Sequence, residues 1–246
     1  TMKVSRRSMD SDRRLFLKPQ FWGMAFAILS FIALFTPIFS LSQDANPKVR
    51  VRIIENTPTF KIRGFDLKFF SVSRSATLSG VVRDRKPAAT TDKLTEWSVD
   101  CPNATTVRAR LLQPSWYKMD PVNFGGPLLI ETPAGFSTVG TRPYREQIVV
   151  HPMKTKKGWG CEVVNHVDIE KYLDGLVNGE FNAGWSKEAI DSQVVAARTY
   201  AYYQIKTMAA KRGGSHFDLD STIKDQVYDG SIREDFRASL SAERTR

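Results

Sequence analysis

Glu180 is the residue whose surroundings best suit chemistry. It lies in the stretch Asn178-Gly179-Glu180-Phe181-Asn182-Ala183-Gly184-Trp185, rich in glycine and asparagine and carrying two aromatics. Asn178-Gly179 reads as a helix stop, because both residues tolerate the left-handed conformation that ends helices. A glutamate just after such a stop is held at a cleft edge rather than packed by periodicity. Phe181 or Trp185 beside it would remove water and raise its pKa, as a general acid at neutral pH requires. On composition alone, a solvated loop glutamate is the plainer reading.

The other reactive side chains are few. His151, His166 and His216 are the only histidines. Ser215, His216 and Asp218 contain the ingredients of a nucleophilic triad, but no Gly-x-Ser-x-Gly elbow is present. His216, Asp218 and Asp220 are ligand types without ligand spacing: no His-x-x-x-His, no cysteine pair, no calcium loop. No glycine-rich phosphate loop follows a strand, so nucleotide chemistry has no support. Gln193, Ala197, Tyr200 and Gln204 share a stripe of one helical pattern. Amide and phenol groups beside small residues suit neutral sugar hydroxyls, and an ordinary boundary face is the simpler reading.

These residues depend on two kinds of element. From Lys48 the chain alternates, with Val49, Val51 and Ile53 on one face and Arg50 and Arg52 on the other, which predicts a half-buried strand. Thr59–Phe70, Thr106–Leu112, Leu128–Ile130, Gln147–Val150 and Gly160–Val164 read as further strands. Residues 71–92 read as loop or weak strands. After Asn165 the period changes. Asp168 is a good N-cap, and Ile169, Tyr172, Leu173, Leu176 and Val177 form one apolar helix face. A second helix starts at Ser186, with Ile190, Val194, Ala197, Ala201, Ile205 and Met208 as its stripe, and Gly213-Gly214 ends it. A third, charged helix is expected over Ser231–Arg244. The fold class is therefore α+β: an N-terminal signal or anchor helix, a β-rich part, then a mixed helical region. The divisions fall at 1–42, 43–159 and 160–246.

The chain has 246 residues, 41% hydrophobic and 25% charged, which excludes a disordered tail or a disulfide-dense mini-protein. Its first 18 residues carry six basic and two acidic side chains, and an uncharged run from Pro19 to Ser42 follows. That order matches a secretory signal, and the run is also long enough to span a bilayer. Residues 19–42 are thus expected in the inner membrane, or cleaved, with the rest exported to the periplasm or cell envelope. The net charge of +10, less +4 for the first 18 residues, leaves +6 for the remainder. That mild basicity suits an anionic polymer or surface and gives nucleic acid no support. In an oxidising compartment Cys101 and Cys161 are either bonded or two separate thiols, since spacing alone cannot place them.

Three blocks together resemble the SpoIID/LytB domain, the stage II sporulation protein D family. They are Val164 to Glu180, Trp185 to Tyr203, and Phe217-Asp218-Leu219 followed by Asp225-Gln226-Val227-Tyr228-Asp229-Gly230. The resemblance covers 160–230 closely and 48–160 more loosely. It implies a peptidoglycan lytic transglycosylase that cuts between N-acetylmuramic acid and N-acetylglucosamine and prefers strands stripped of stem peptides. It implies that Glu180 is the catalytic acid. Gln193, Arg198, Tyr200, Gln226 and Tyr228 are the accompanying candidates for substrate binding. Glycan strands are the expected partner, with other cell-wall hydrolases as further ones.

Two departures stand out. Some relatives bind zinc between the Phe-Asp-Leu and Gln-Val-Tyr parts of the third motif, where this chain has Asp220, Lys224 and Asp225. A lysine cation opposes a metal, so no metal and no cofactor are expected. Family domains also continue past the last block, so a chain ending at Arg246 and beginning Thr1-Met2 reads as a fragment or a shortened product. The alternative function is a non-catalytic wall protein of the LytB kind that binds glycan or modifies an amidase. A tethered scaffold of a sporulation-type complex is a third.

Overall fold

The structure, a computed structural model, describes residues 46–73, 87–180, 184–211 and 215–246. The export segment expected over 1–42, Phe181 and the Gly213-Gly214 stop lie outside the described residues. Among the described residues, no helix is long and apolar enough to cross a membrane.

Among the described residues, eleven strands form one sheet: β1 Lys48–Thr57, β2 Thr59–Gly64, β3 Lys68–Ser71, β4 Ala89–Thr90, β5 Thr95–Asn103, β6 Thr106–Gln113, β7 Val122–Gly125, β8 Leu128–Val139, β9 Arg142–Thr155, β10 Gly158–Asp168 and β11 Leu219–Asp220. The order is β11-β1-β10-β9-β8-β2-β5-β6-β7, with β3 pairing β8 and β4 pairing β3. Pairing is antiparallel except between β1 and β11. The sheet bends back on itself, so that β5 and β6 lie over β9 and β10. Val51, Ile62, Trp97, Val99, Val107, Ile148, Val150 and Val163 fill the space between, all at most 2% exposed.

Three expectations need correction. β5 falls where no strand was expected, although Thr95, Trp97, Val99 and Cys101 alternate into the core. β1 is not half-buried at Arg50: that arginine is 7% exposed because Asp218 neutralises it. β10 runs on to Asp168, paired on both sides by β1 and β9, and almost all of it is buried. The change of period after Asn165 thus falls inside a strand, and residues 46–246 form one compact unit.

Among the described residues three α-helices follow: α1 Ile169–Glu180, α2 Lys187–Lys211 and α3 Phe236–Arg244, the last after a short 3-10 turn over Gly230–Arg233. The single charged helix expected over Ser231–Arg244 is therefore split. Asp235 restarts it by accepting from the Arg237 N–H at 2.7 Å. Cys101 on β5 is bonded to Cys161 on β10, joining the folded-over layers.

Candidate functional site

β10 feeds directly into α1. Asp168 caps it, its Oδ1 accepting from the Glu170 N–H at 2.8 Å. Ile169, Tyr172, Leu173 and Leu176 are all buried, as their spacing predicts. The helix does not stop at Asn178-Gly179 but continues through both, so that Glu180 is its last residue. The last turn contains no basic residue.

The remaining motif residues lock α1 in place. Arg198 on α2 donates to both Glu170 oxygens, at 3.0 and 2.7 Å. The same guanidinium donates to the Ala242 and Thr245 carbonyls, satisfying the open C-terminal end of α3. Arg198, expected at the sugar, therefore joins three helices. Tyr228 is 2% exposed and donates to Asn165 Oδ1 at 3.0 Å. Burial pushes its hydroxyl well above the usual tyrosine range. It is a core residue, contrary to its expected place in the binding set. Its ring and the Gly230 carbonyl press so close to α1 that a Cβ on Gly175 would sit 2.8 and 2.7 Å from them. Gln226 accepts from the Tyr172 hydroxyl at 2.9 Å.

On α2, Ser186 caps the start by accepting from the Ala189 N–H at 3.3 Å. Ile190, Val194, Ala197, Ala201 and Met208 are buried as expected, and Gln204 is buried in place of Ile205. The expected sugar stripe is divided. The Tyr200 hydroxyl donates to Asp225 Oδ1 at 2.6 Å, and the Gln204 amide donates to that hydroxyl at 2.7 Å. Gln193 alone of the four is exposed.

The third block is pinned to β1. Arg50 grips Asp218 through both carboxylate oxygens, and Arg52 pairs with Asp220 at 2.5 Å while lying 4.2 Å above the Phe217 ring. Burial alone would raise the Asp220 carboxyl, but Thr222 and Arg52 hold it below the usual range. Asp225 accepts from the Asp220 N–H, and Lys224 lies 3.5 Å from Glu55. Among the described residues no group of histidine, cysteine and carboxylate side chains is arranged to hold a metal. His216 stacks on His151 and sits 3.1 Å from Glu162, so it forms neither the triad nor the ligand set its sequence neighbours suggest.

Two features escaped the sequence. Asp174, on α1, is pushed up to about 6, mainly by burial and further by Glu234 and Glu170. Nothing local signals this, since Glu234 arrives from 60 residues downstream. The second is a cleft of about 310 Å³ between α2 and α3, lined by Trp185, Lys187, Ile190, Arg237, Leu240 and Arg244. It combines an indole, two aliphatic chains and three cations just beyond the Glu180 segment in sequence.

Residues 157–246 match the family described as Stage II sporulation protein, SpoIID. SpoIID is the family this segment matches. The segment starts at the β9–β10 turn, so the domain takes in β10, all three helices and β11. The domain indicates a role related to the cell wall. The chain is also similar to an uncharacterized protein of Brachyspira hyodysenteriae (strain ATCC 49526 / WA1), 35% identical over 119 residues, or 48% of this chain. The match covers 30% of that protein's length. No solved structure matches.

Proposed function

We propose that this chain is a lytic transglycosylase acting on peptidoglycan glycan strands, with Glu180 as the single acid/base. The SpoIID domain over 157–246 carries the reading. Protonated Glu180 donates to the glycosidic oxygen as an oxocarbenium-like centre develops on the muramic acid. The resulting carboxylate takes the proton of that sugar's own 6-hydroxyl, whose oxygen closes the 1,6-anhydro ring. No water is consumed, so no second carboxylate at hydrolase spacing is needed. The position of Glu180 supports this. Glu180 closes a helix whose first turn is capped and whose apolar face is buried, so the fold fixes where its backbone stands. The rigid seating of α1 supports it too, because proton transfer depends on placement.

Gln193 and the cleft beside Trp185, whose Lys187 and Arg244 also pair with Asp191, are the groups assigned to hold the strand. Export to the cell envelope belongs to the same reading. The test is formation of anhydro-ended products from peptide-stripped glycan. Glu180→Gln should lower the rate about 10⁴-fold while strand binding survives, because it removes only the transferable proton. Near-normal turnover by Glu180→Gln would end the mechanism. Strands bound but left uncut by the unaltered protein would point to the non-catalytic alternative.

A further inference from the structure

The outer face of the sheet carries an apolar row that the core does not use. Ser137, Gly64 and Thr95 stand opposite one another across β8, β2 and β5. One position further along are Phe136, Phe65 and Leu94, pointing to solvent. They are 53%, 53% and 39% exposed. The next outward row is polar: Thr138, Arg63 and Glu96 in the same order. Together these residues line a cleft of about 590 Å³. Strands lie about 4.8 Å apart, so the apolar row is roughly 10 Å long, enough for two sugar rings laid flat. Contiguous exposed apolar side chains on a folded unit mark a binding surface.

The charges of the cleft define what it takes. Lys61 pairs with Glu96 at 3.2 Å, and Asp66 pairs with Lys68 at 3.7 Å. Arg63 is left, at the centre of the polar row, as a cation with no ion-pair partner among the described residues. A fitting ligand thus has an apolar face, neutral hydroxyls and one anion per two-ring repeat. A glycan strand stripped of stem peptides has that composition: the CH faces of the sugars and one lactyl carboxylate per disaccharide. A guanidinium meets a carboxylate with two parallel hydrogen bonds.

We infer that the β8–β2–β5 cleft is a second site for the glycan strand, with sugar faces on Phe65 and Phe136 and a lactyl carboxylate on Arg63. It rests on the proposed action on glycan and extends it. The cleft is three strands along the sheet from β10, which leads into the Glu180 helix. A long strand offers sugars to both places at once, and a disaccharide to one at a time. The cleft therefore raises affinity for long strands without touching the bond that breaks.

The experiment is co-sedimentation of the full chain with sacculi stripped of stem peptides, before and after amidation of the lactyl carboxylates, in the Glu180→Gln background so that strands persist. The paired change Phe65→Ala/Phe136→Ala should raise the half-saturating concentration about tenfold, as loss of central aromatic contacts does. Arg63→Gln should weaken binding to untreated sacculi and make it insensitive to amidation. With Glu180 intact, cleavage of a short soluble oligosaccharide should be unchanged by both. Equal sedimentation of all variants, or a change in self-association in place of strand binding, overturns the inference. Anhydro products from the unaltered protein alongside equal sedimentation would sink the cleft alone. Absence of both products and binding would sink the proposed function with it.

Discussion

Glu170 and Glu180 stand on one helix. Glu170 has both oxygens on Arg198, and the pair is largely shielded, with side-chain exposures of 18% and 12%. Removing one partner of a shielded pair leaves the other charge unpaired, at a cost of about 3 kcal/mol or more. Arg198→Met should therefore lower stability by that amount in urea denaturation. Glu170→Gln, which keeps hydrogen-bonding capacity, should lose less. Product formation per folded molecule should hold in both. Loss of turnover by Arg198→Met at an unchanged melting temperature would return that arginine to the substrate.

Packing around α1 leaves no room at Gly175. In a free helix Gly175→Ala would gain about 1 kcal/mol. Here the new methyl meets the Gly230 carbonyl and the Tyr228 ring, neither of which is a flexible chain end. Overpacking of this kind costs about 1–3 kcal/mol, so denaturation should find Gly175→Ala less stable than the parent. The same helix carries a pH dependence. Asp174 has a folded pKa of about 6 against 3.8 for a free side chain. Its contribution is fully present below pH 4 and is lost as pH rises through 6. At 1.36 kcal/mol per unit this amounts to about 1–3 kcal/mol. His166, at the end of β10, works the other way. Burial first, then Arg50 and Lys48, push it down to about 3. Its contribution is present above pH 6.5 and is lost as pH falls toward 3. Stability curves of the parent and of Asp174→Asn should therefore diverge between pH 4 and 6, with the variant the more stable at pH 7. Parallel curves would show that Asp174 ionises normally.

At the level of the whole molecule, the Cys101–Cys161 bond closes 60 residues and links the layer holding β5 to the first strand of the SpoIID domain. A loop of that length confers about 4 kcal/mol through the unfolded chain. Cys101→Ser/Cys161→Ser should lower stability by roughly that amount, read as a lower denaturation midpoint, while turnover per folded molecule is kept. A variant that holds its midpoint but loses turnover would make the bond part of the site.

Much of this architecture is legible along the chain. The Asp168 and Ser186 caps, the apolar stripes of α1 and α2 and the alternation of β1 and β6 follow from interactions within a few residues, which sequence order specifies. The three motif blocks likewise point to a SpoIID domain. The start of that domain inside a continuous sheet, the β5 layer over β10 and the bonding of the two cysteines depend on the path of the chain. So does the division of labour among the motif residues. Arg50 meets Asp218 across 168 positions, Arg198 meets Thr245 across 47, and Tyr228 meets Asn165 across 63. Local pattern marks such residues as polar and notable, and only the tertiary contact decides that they are joints. A buried charge or hydroxyl must find a partner, and that partner is chosen by what the fold brings within about 3 Å.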